Sequence, residues 1–509
     1  MLKVWTREIL QEFVRNELDG RRLIVVSNRE PYQHHHSEGQ IRWAEPPGGV
    51  TAALDPVMRA CGGLWIAHGS GDADQQSVDR RDHVSVPPDS PEYSLRRIWL
   101  TEEEEEGYYG GLSNQGLWPL CHVAFTRPSF DPDHWRMYRR INQRFADAVV
   151  EEAAGEPAFV FIQDYHFGLL PRMLRNSSAN LVVAQFWHIP WPNPELFRAF
   201  PWREEILDGL LGNDLLGFHL ANHCQNFLST VDRSLEARID PANSDVIYRG
   251  HSTSVKPFPI GIDFDEHVKT AESDEVTAQM GSWRKKLSLD GKLVGIGIDR
   301  LDYTKGIPER LRALDRLLDE NPGYREKLVF VQIAVPSRST LPAYREVEEE
   351  VQTLDARINL RWGTDSWKPV VLLQDSYQTL EMIALHRLAN FCVVSSLHDG
   401  MNLVAKEFVA SRIDEDGVLV LSSFAGAAKE MNDALLVNPF AIEEVSDAYG
   451  KALKMPREER GRRMRKLREK VEQNNVYRWA GTFLSHQFEI EFPELQSTRY
   501  NTPAIGVAV

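Results

Sequence analysis

"KLVGIGIDRLDYTKG", residues 292–306, decides the fold. From Leu293 to Ile298 the run is apolar without alternation, the pattern of a strand covered on both faces. Gly295 and Gly297 lie inside that run instead of forming a GxGxxG turn after it, which argues against a nicotinamide dinucleotide site. Arg300, Lys305 and Gly306 follow at once, in a chain whose formal net charge is -16. Read alone, the two cations belong to a surface loop paired with Asp302. The alternative is an anion site, because ligands of open α/β sheets bind beyond the carboxyl ends of the strands.

Runs of the same kind recur at "LIVVSN" (23–28), "FVFIQ" (159–163), "LVVAQFW" (181–187), "LLGF" (215–218), "KLVFVQIAV" (327–335), "FCVVSS" (391–396) and "GVLVLSS" (417–423). With helix-like segments between them they predict a doubly wound α/β protein. Four runs precede residue 220 and the others follow residue 290, and the gap holds "KPFPIGIDFDEH" (256–267), with the prolines and glycine of a linker. Two Rossmann-like domains facing a cleft are expected: 1–262, opening with an amphipathic helix over 1–20 (Trp5, Ile9, Leu10, Phe13 and Leu18 on one face), and 263–480. Residues 481–509 are expected to cross back to the first domain.

A chain of 509 residues with 42% hydrophobic content exceeds a single core. Cys61, Cys121, Cys224 and Cys392 form no CxxC pair and sit among apolar neighbours, as packed reduced thiols do. The N-terminus lacks the continuous apolar segment of a signal peptide and no run of about 18 apolar residues follows, so a cytoplasmic protein with no membrane partner is expected. The excess of 74 Asp and Glu over 58 Lys and Arg argues against nucleic acid. In "MPREERGRRMRKLREK" (455–470) Met464, Leu467 and Val471 make a helical stripe, so its cations belong to a solvated face. "EEEEE" (102–106) reads as exposed helix surface, "HHH" (34–36) as an exposed hairpin turn, and "DAD" (72–74) and "DFD" (263–265) as loop carboxylates.

Polar residues collect at the predicted strand ends: Arg29, Asp164 with His166, His188, Arg300, Arg338 and Asp399. Singly, such residues satisfy backbone groups or cap loops; as a set they suit one crevice. "PPGGV" adds Gly48 and Gly49, whose amides carry no side-chain bulk against a phosphate, although a GG pair by itself is a turn. In "HDGMNLVAKEFVASR" (398–412), Asp399 and Gly400 make a turn and Met401, Asn402 and Leu403 open a helix whose amides attract a diphosphate. Glu407, one turn on, suits a ribose diol. Taken alone, the segment is an ordinary capped helix.

These segments, with "VVSNR", "GGLW", "YYGGLSNQGLWP", "DYHFGLLP", "HIPWPNPELFRAFP", "GLLGNDLLGFH", "DRLDYTKGIPER", "QIAVPSR" and "DGMNLVAKEFVA", resemble the retaining glycosyltransferases of the trehalose-phosphate synthase type from about residue 22 to 490. The resemblance implies a GT-B fold and transfer of glucose from a nucleotide-glucose, UDP-glucose or a related donor, to glucose 6-phosphate. It implies that Gly49, Arg300, Lys305, Leu403, Val404 and Glu407, with Gly48 and Asn402 beside them, hold the nucleoside diphosphate. The donor sugar is expected near Asp164, His188, Asp399, Gly400 and Met401, and the acceptor near Arg29, Tyr109, Trp118, Asp164 and Arg338. Asp164, His188, Arg300 and Lys305 carry the catalytic expectation. No metal or other cofactor is implied, and relatives often form dimers or tetramers. Three positions depart from the family pattern: His68 in place of a second tryptophan after "GGLW", Gln163 in place of His before "DYH", and His398 in place of Arg before "DGMN". With the insertion over 30–46, they keep glycerol 3-phosphate open as an alternative acceptor. A sugar-phosphate sensor without turnover is the alternative outside enzymes.

Overall fold

The strand β1 (Arg22–Arg29) is buried from Leu23 to Asn28, and it sits inside the larger of two main sheets. The computed structural model describes residues 4–46, 48–177 and 180–490. They divide into two compact units. The N-terminal unit comprises Trp5–Cys121, Arg127–Pro259 and the described residues 477–490; the C-terminal unit comprises Val4, His122–Thr126 and Ile260–Val476.

In the N-terminal unit the remaining strands are β2 (Gln33–Ser37), β3 (Gln40–Ala44), β4 (Leu64–His68), β5 (His83–Val86), β6 (Tyr93–Ile98), β7 (Ala158–Gln163), β8 (Leu181–Phe186), β9 (Leu215–Phe218), β10 (Arg238–Asp240), β11 (Asp245–Tyr248) and β12 (His251–Pro257). Nine of them join β1 in one ten-stranded sheet in the order β10-β11-β12-β9-β8-β7-β1-β4-β6-β5, parallel from β12 to β6 and antiparallel at both edges. The chain builds from β1 toward β4 and β6, then returns to β7 on the other edge of β1. The β1/β7 boundary is therefore the switch point, where neighbouring loops diverge and leave room for a ligand.

The C-terminal unit carries β13 (Leu293–Arg300), β14 (Leu328–Val335), β15 (Val370–Leu373), β16 (Phe391–Val394), β17 (Val418–Ser422) and β18 (Leu435–Val437), all parallel, in the order β15-β14-β13-β16-β17-β18. Its switch point lies between β13 and β16. The glycines of β13 have a packing cause. A Cβ on Gly295 would meet the Phe391 and Phe330 rings, and one on Gly297 would overlap the Arg310 guanidinium, which lies fully buried against Asp299 (2.7 Å), Gln332 (3.0 Å) and Ser395 (3.0 Å).

The N-terminal helix spans Arg7–Leu18, capped by the Thr6 hydroxyl and burying Leu10 and Val14, while Phe13 stacks on Phe488 at 5.9 Å. The stretch 477–490 packs with the N-terminal sheet: Phe483 stacks on Phe161 at 4.4 Å, and Gln487 donates to the Val160 carbonyl at 2.9 Å. The rest of the expected crossing back, 491–509, lies outside the described residues. The helix Arg457–Gln473 buries Met464, Leu467 and Val471, and its cations pair with acids, Arg460 with Asp416 at 2.5 Å and Arg465 with Glu415 at 2.9 Å. Three cysteines are buried, Cys61 is partly so, and all four are free thiols.

Several local expectations change. The three histidines form strand β2, not a turn; the turn is Glu38-Gly39, where both φ angles are positive. His34 is buried, its Nδ1 accepting from Arg97 at 2.9 Å. Asp74 is no loop carboxylate: it is fully buried and pairs with Arg97 at 2.8 Å, because that buried guanidinium needs counter-charge, which Glu30 also supplies at 2.7 Å. Glu104 of the acidic run is buried in a capping box with Thr101 and pairs with Arg144 at 2.7 Å. Asp263 caps the helix Phe264–Ala271. The stretch 256–267 is only partly a linker, since β12 runs to Pro257 and that helix starts at Phe264.

Candidate active site

At the N-terminal switch point, Arg29 ends β1 and donates through Nη2 to the Tyr109 hydroxyl at 3.1 Å. Tyr109 lies on a stretch of π-helix, Glu106–Leu117, a geometry frequent at functional sites. Its ring stacks on His166 at 5.6 Å with 17° between planes. Gly48 precedes the helix Gly49–Cys61, and a Cβ there would lie 3.4 Å from Arg29 Nη1. Trp118 is buried, 5.8 Å from the Tyr165 ring.

Asp164 follows β7 with φ 71°, a strained angle for a residue with a side chain, and its Oδ1 accepts from the Tyr165 amide at 2.9 Å and the His188 amide at 3.1 Å. The carboxylate thus ties together the loops after β7 and β8. His188 Nε2 lies 2.9 Å from Gln163 Oε1. Burial pulls the imidazole down to about 3, so it is neutral, Nε2–H donates to Gln163, and Nδ1 carries the lone pair. Gln163, unassigned by the sequence reading, is thereby the residue that fixes this tautomer.

His68 ends β4 as the register partner of Arg29. Its Nδ1 donates to the Ile98 carbonyl at 3.1 Å and its Nε2 faces Glu105 at 3.8 Å. Burial opposes a charge on this ring, but Glu105, the Ile98 carbonyl and Glu30 outweigh it and hold its pKa above the ordinary histidine value.

At the C-terminal switch point, Arg300 ends β13 and the loop after it winds one 3-10 turn, Tyr303–Lys305, capped by Asp302 Oδ1, which accepts from the Thr304 amide at 3.0 Å and hydroxyl at 2.9 Å. Gly306 then takes φ 62°, and a Cβ on it would overlap the Ser395 carbonyl, so the loop after β13 is pressed against the end of β16. Lys305 Nζ donates to Asp399 Oδ2 at 2.5 Å. Burial alone would raise the Asp399 carboxyl; Lys305 outweighs it and holds it well below the carboxylate range.

Asp399 also accepts from Ser396 at 3.2 Å and Asn402 at 3.3 Å. Asn402, at φ 75°, caps the helix Leu403–Ser411 by accepting from the Ala405 amide at 3.3 Å. The amides of Leu403 and Val404 open the first turn, before the intrahelical ladder can supply acceptors. The Gly400 carbonyl packs against Gly426 so closely that no side chain fits there. Burial pushes the Glu407 carboxyl up to about 7. His398 donates through Nδ1 to the His122 carbonyl, 2.7 Å away, within the same unit.

Arg338, at φ 52° after β14, donates to the Tyr344 hydroxyl at 2.6 Å and lies 3.6 Å from Asp302 Oδ2. The predicted residues therefore fall into two groups. Arg29, Gly48, Gly49, Tyr109, Trp118, Asp164 and His188 belong to the N-terminal unit, and Arg300, Lys305, Arg338, Asp399, Gly400, Met401, Asn402, Leu403, Val404 and Glu407 to the C-terminal one. Sequence reading named Asp302 only as the acid of a surface loop and passed over Tyr344. The signal for Asp302 was an acid between two cations in one loop; Tyr344, on the helix Pro342–Trp362, left none. Among the described residues no group of three or more His, Cys, Asp or Glu is placed to hold a metal, and no helix is long and apolar enough to cross a membrane.

Residues 21–488 match the description of glycosyltransferase family 20. The trehalose-6-phosphate synthase of Mycolicibacterium gilvum is 39% identical over 476 residues, covering 91% of this chain and 92% of the relative. An E. coli structure bound with UDP-2-fluoro glucose is 31% identical with a TM-score of 0.82, covering 92% of this chain and 100% of that one. The alpha,alpha-trehalose-phosphate synthase (UDP-forming) of Burkholderia xenovorans, in complex with glucose-6-phosphate, is 30% identical with a TM-score of 0.82 over 92% of this chain and 99% of that one. The sheets, their switch points and the match along nearly the whole chain lead to one conclusion: the chain belongs to glycosyltransferase family 20 and has the GT-B fold.

Proposed function

We propose that the protein transfers glucose from UDP-glucose to glucose 6-phosphate with retention, giving trehalose 6-phosphate and UDP. The observation that carries this reading is the C-terminal switch point, where Arg300, Lys305 and the opening turn of the helix Leu403–Ser411 come from the ends of β13 and β16. Cations together with unpaired helix amides suit a diphosphate and stabilise the charge it gains as the glycosidic bond breaks. Glu407, one turn into the same helix, accepts hydrogen bonds from the ribose hydroxyls. The relatives solved with a UDP-sugar analogue and with glucose-6-phosphate support the donor and acceptor classes.

For the acceptor, the N-terminal unit offers Arg29, Tyr109 and Trp118 and the C-terminal unit offers Arg338; a guanidinium suits the phosphate and the rings suit the sugar. The acceptor hydroxyl bonds to the anomeric carbon as the carbon–oxygen bond to the diphosphate breaks, and a phosphate oxygen of the departing UDP receives the hydroxyl proton. No protein nucleophile is required. Asp164 holds the loops after β7 and β8, and neutral His188 offers Nδ1 as an acceptor to a donor-sugar hydroxyl. Arginine and lysine supply the counter-charge for the diphosphate, so turnover is expected to be unchanged by EDTA; its loss, with recovery on adding a divalent cation, would contradict this charge assignment. Release of UDP on mixing UDP-glucose with glucose 6-phosphate, with the product identified by NMR, tests the whole reading.

A further inference from the structure

The cations Arg300, Lys305 and Arg338 come from two different strand ends, yet one carboxylate answers to all three. Asp302 is fully buried. Burial opposes its ionisation, but Arg338, Arg300 and Lys305, in that order, hold it ionised. Its two oxygens divide the work. Oδ1 takes the amide and hydroxyl of Thr304 and so shapes the turn that carries Lys305. Oδ2 lies 3.6 Å from Arg338 Nη1 and 3.5 Å from the Tyr344 hydroxyl, which itself accepts from Arg338 at 2.6 Å. The Tyr344 oxygen thus accepts from the guanidinium and offers its proton to the carboxylate, a relay closed on three sides. The Tyr303 ring packs edge-on against Tyr344 at 5.3 Å, joining the Lys305 turn to the helix that supports Arg338.

We propose that Asp302, acting through Tyr344, is a positioning residue that fixes the Arg338 guanidinium for the phosphate of the acceptor. The proposal rests on the glucosyl-transfer reading above. Lys305 has its own partner in Asp399 at 2.5 Å, so loss of the Asp302 charge strikes Arg338 first. An opposite effect is conceivable on electrostatic grounds, because an anion beside a phosphate site also repels the phosphate. Geometry decides against it: the relay directs two contacts at one guanidinium, and removing the charge takes from Arg338 an anion 3.6 Å away while Lys305 keeps Asp399.

Asp302→Asn keeps an oxygen for Thr304 and removes only the charge; Tyr344→Phe keeps the charge and removes only the relay. In steady-state assays of UDP release, Asp302→Asn is expected to raise the KM for glucose 6-phosphate about tenfold or more, the scale on which groups orienting a charged ligand side chain act, and Tyr344→Phe to raise it by a smaller factor. The KM for UDP-glucose should change by less than about a third of the acceptor effect, and in an Arg338→Gln background Asp302→Asn should have no further effect on the acceptor KM, as coupled residues behave. An equal rise in both KM values, a fall in the acceptor KM, or additivity with Arg338→Gln would overturn the proposal. If circular dichroism shows Asp302→Asn unfolded, the same outcomes for Tyr344→Phe decide. Wild-type protein that releases no UDP with any sugar phosphate overturns the functional reading and this inference with it, whereas normal wild-type turnover with unselective variants overturns the inference alone.

Discussion

Lys305 and Glu407 make the charge argument testable one residue at a time. Lys305→Ala removes a cation from the expected position of the leaving diphosphate, and kcat should fall about 100-fold or more if it acts as other donors to a developing anion do; near-normal turnover would deny it that role. Glu407 links the donor to pH. Its folded value of about 7 lies above the 4.5 of an unperturbed carboxyl. The unfolded chain gives up this proton first, so between those values its contribution to stability falls as pH rises. Donor binding runs the other way, since the ionised carboxylate accepts from both ribose hydroxyls. The KM for the donor should therefore fall as pH rises through about 7, and Glu407→Gln should flatten that limb; an unchanged limb in the variant would assign it to another group. Most of these side chains were legible because a parallel strand announces its own carboxyl end, and the next polar residue faces the ligand. The roles of Asp302, Tyr344 and Gln163 were not, because their work is to hold another side chain, and nothing in a linear sequence shows which residue a buried polar group will meet.

At the scale of elements, the long apolar runs came through as strands, while β4, β6, β11, β12 and the edge strands β5, β10, β15 and β18 of the two main sheets did not. The causes are physical. β6 alternates buried and partly buried positions, and β10, β15 and β18 are short strands at the edges of their sheets. β4 is a run of five buried residues, Leu64–His68, whose tryptophan and terminal histidine hide the β-branched pattern. The triple histidine misled in the opposite direction, since polar composition suggested a turn where Arg97 and its acids draw His34 inward. The returning helix makes an element-scale prediction. Phe483 is fully buried between Phe161 and Phe258, and Gly217 leaves room for its ring. Phe483→Ala should cost about 3–5 kcal/mol in chemical denaturation; a loss below about 1 kcal/mol would mean that this helix adds little to the sheet beneath it.

For the whole molecule, the division into two α/β units was visible in the spacing of the apolar runs, and the chain's return after Tyr477 to the N-terminal unit follows from the aromatic side chains that the last helix buries there. Each unit brings its candidate residues to a switch point by its own strand order, Arg29 and Asp164 in one, Arg300 and Asp399 in the other. That repetition is why residues distant in sequence are assigned to one reaction. The departures at His68, Gln163 and His398 all fall within this set or beside it. The most direct test is a matrix of nucleotide-glucose donors against glucose 6-phosphate, glycerol 3-phosphate and buffer alone, with nucleotide release measured and products identified by NMR. The account predicts highest kcat/KM for UDP-glucose with glucose 6-phosphate and a product carrying the α,α-1,1 linkage. A strong preference for glycerol 3-phosphate, or an inverted linkage, would contradict it.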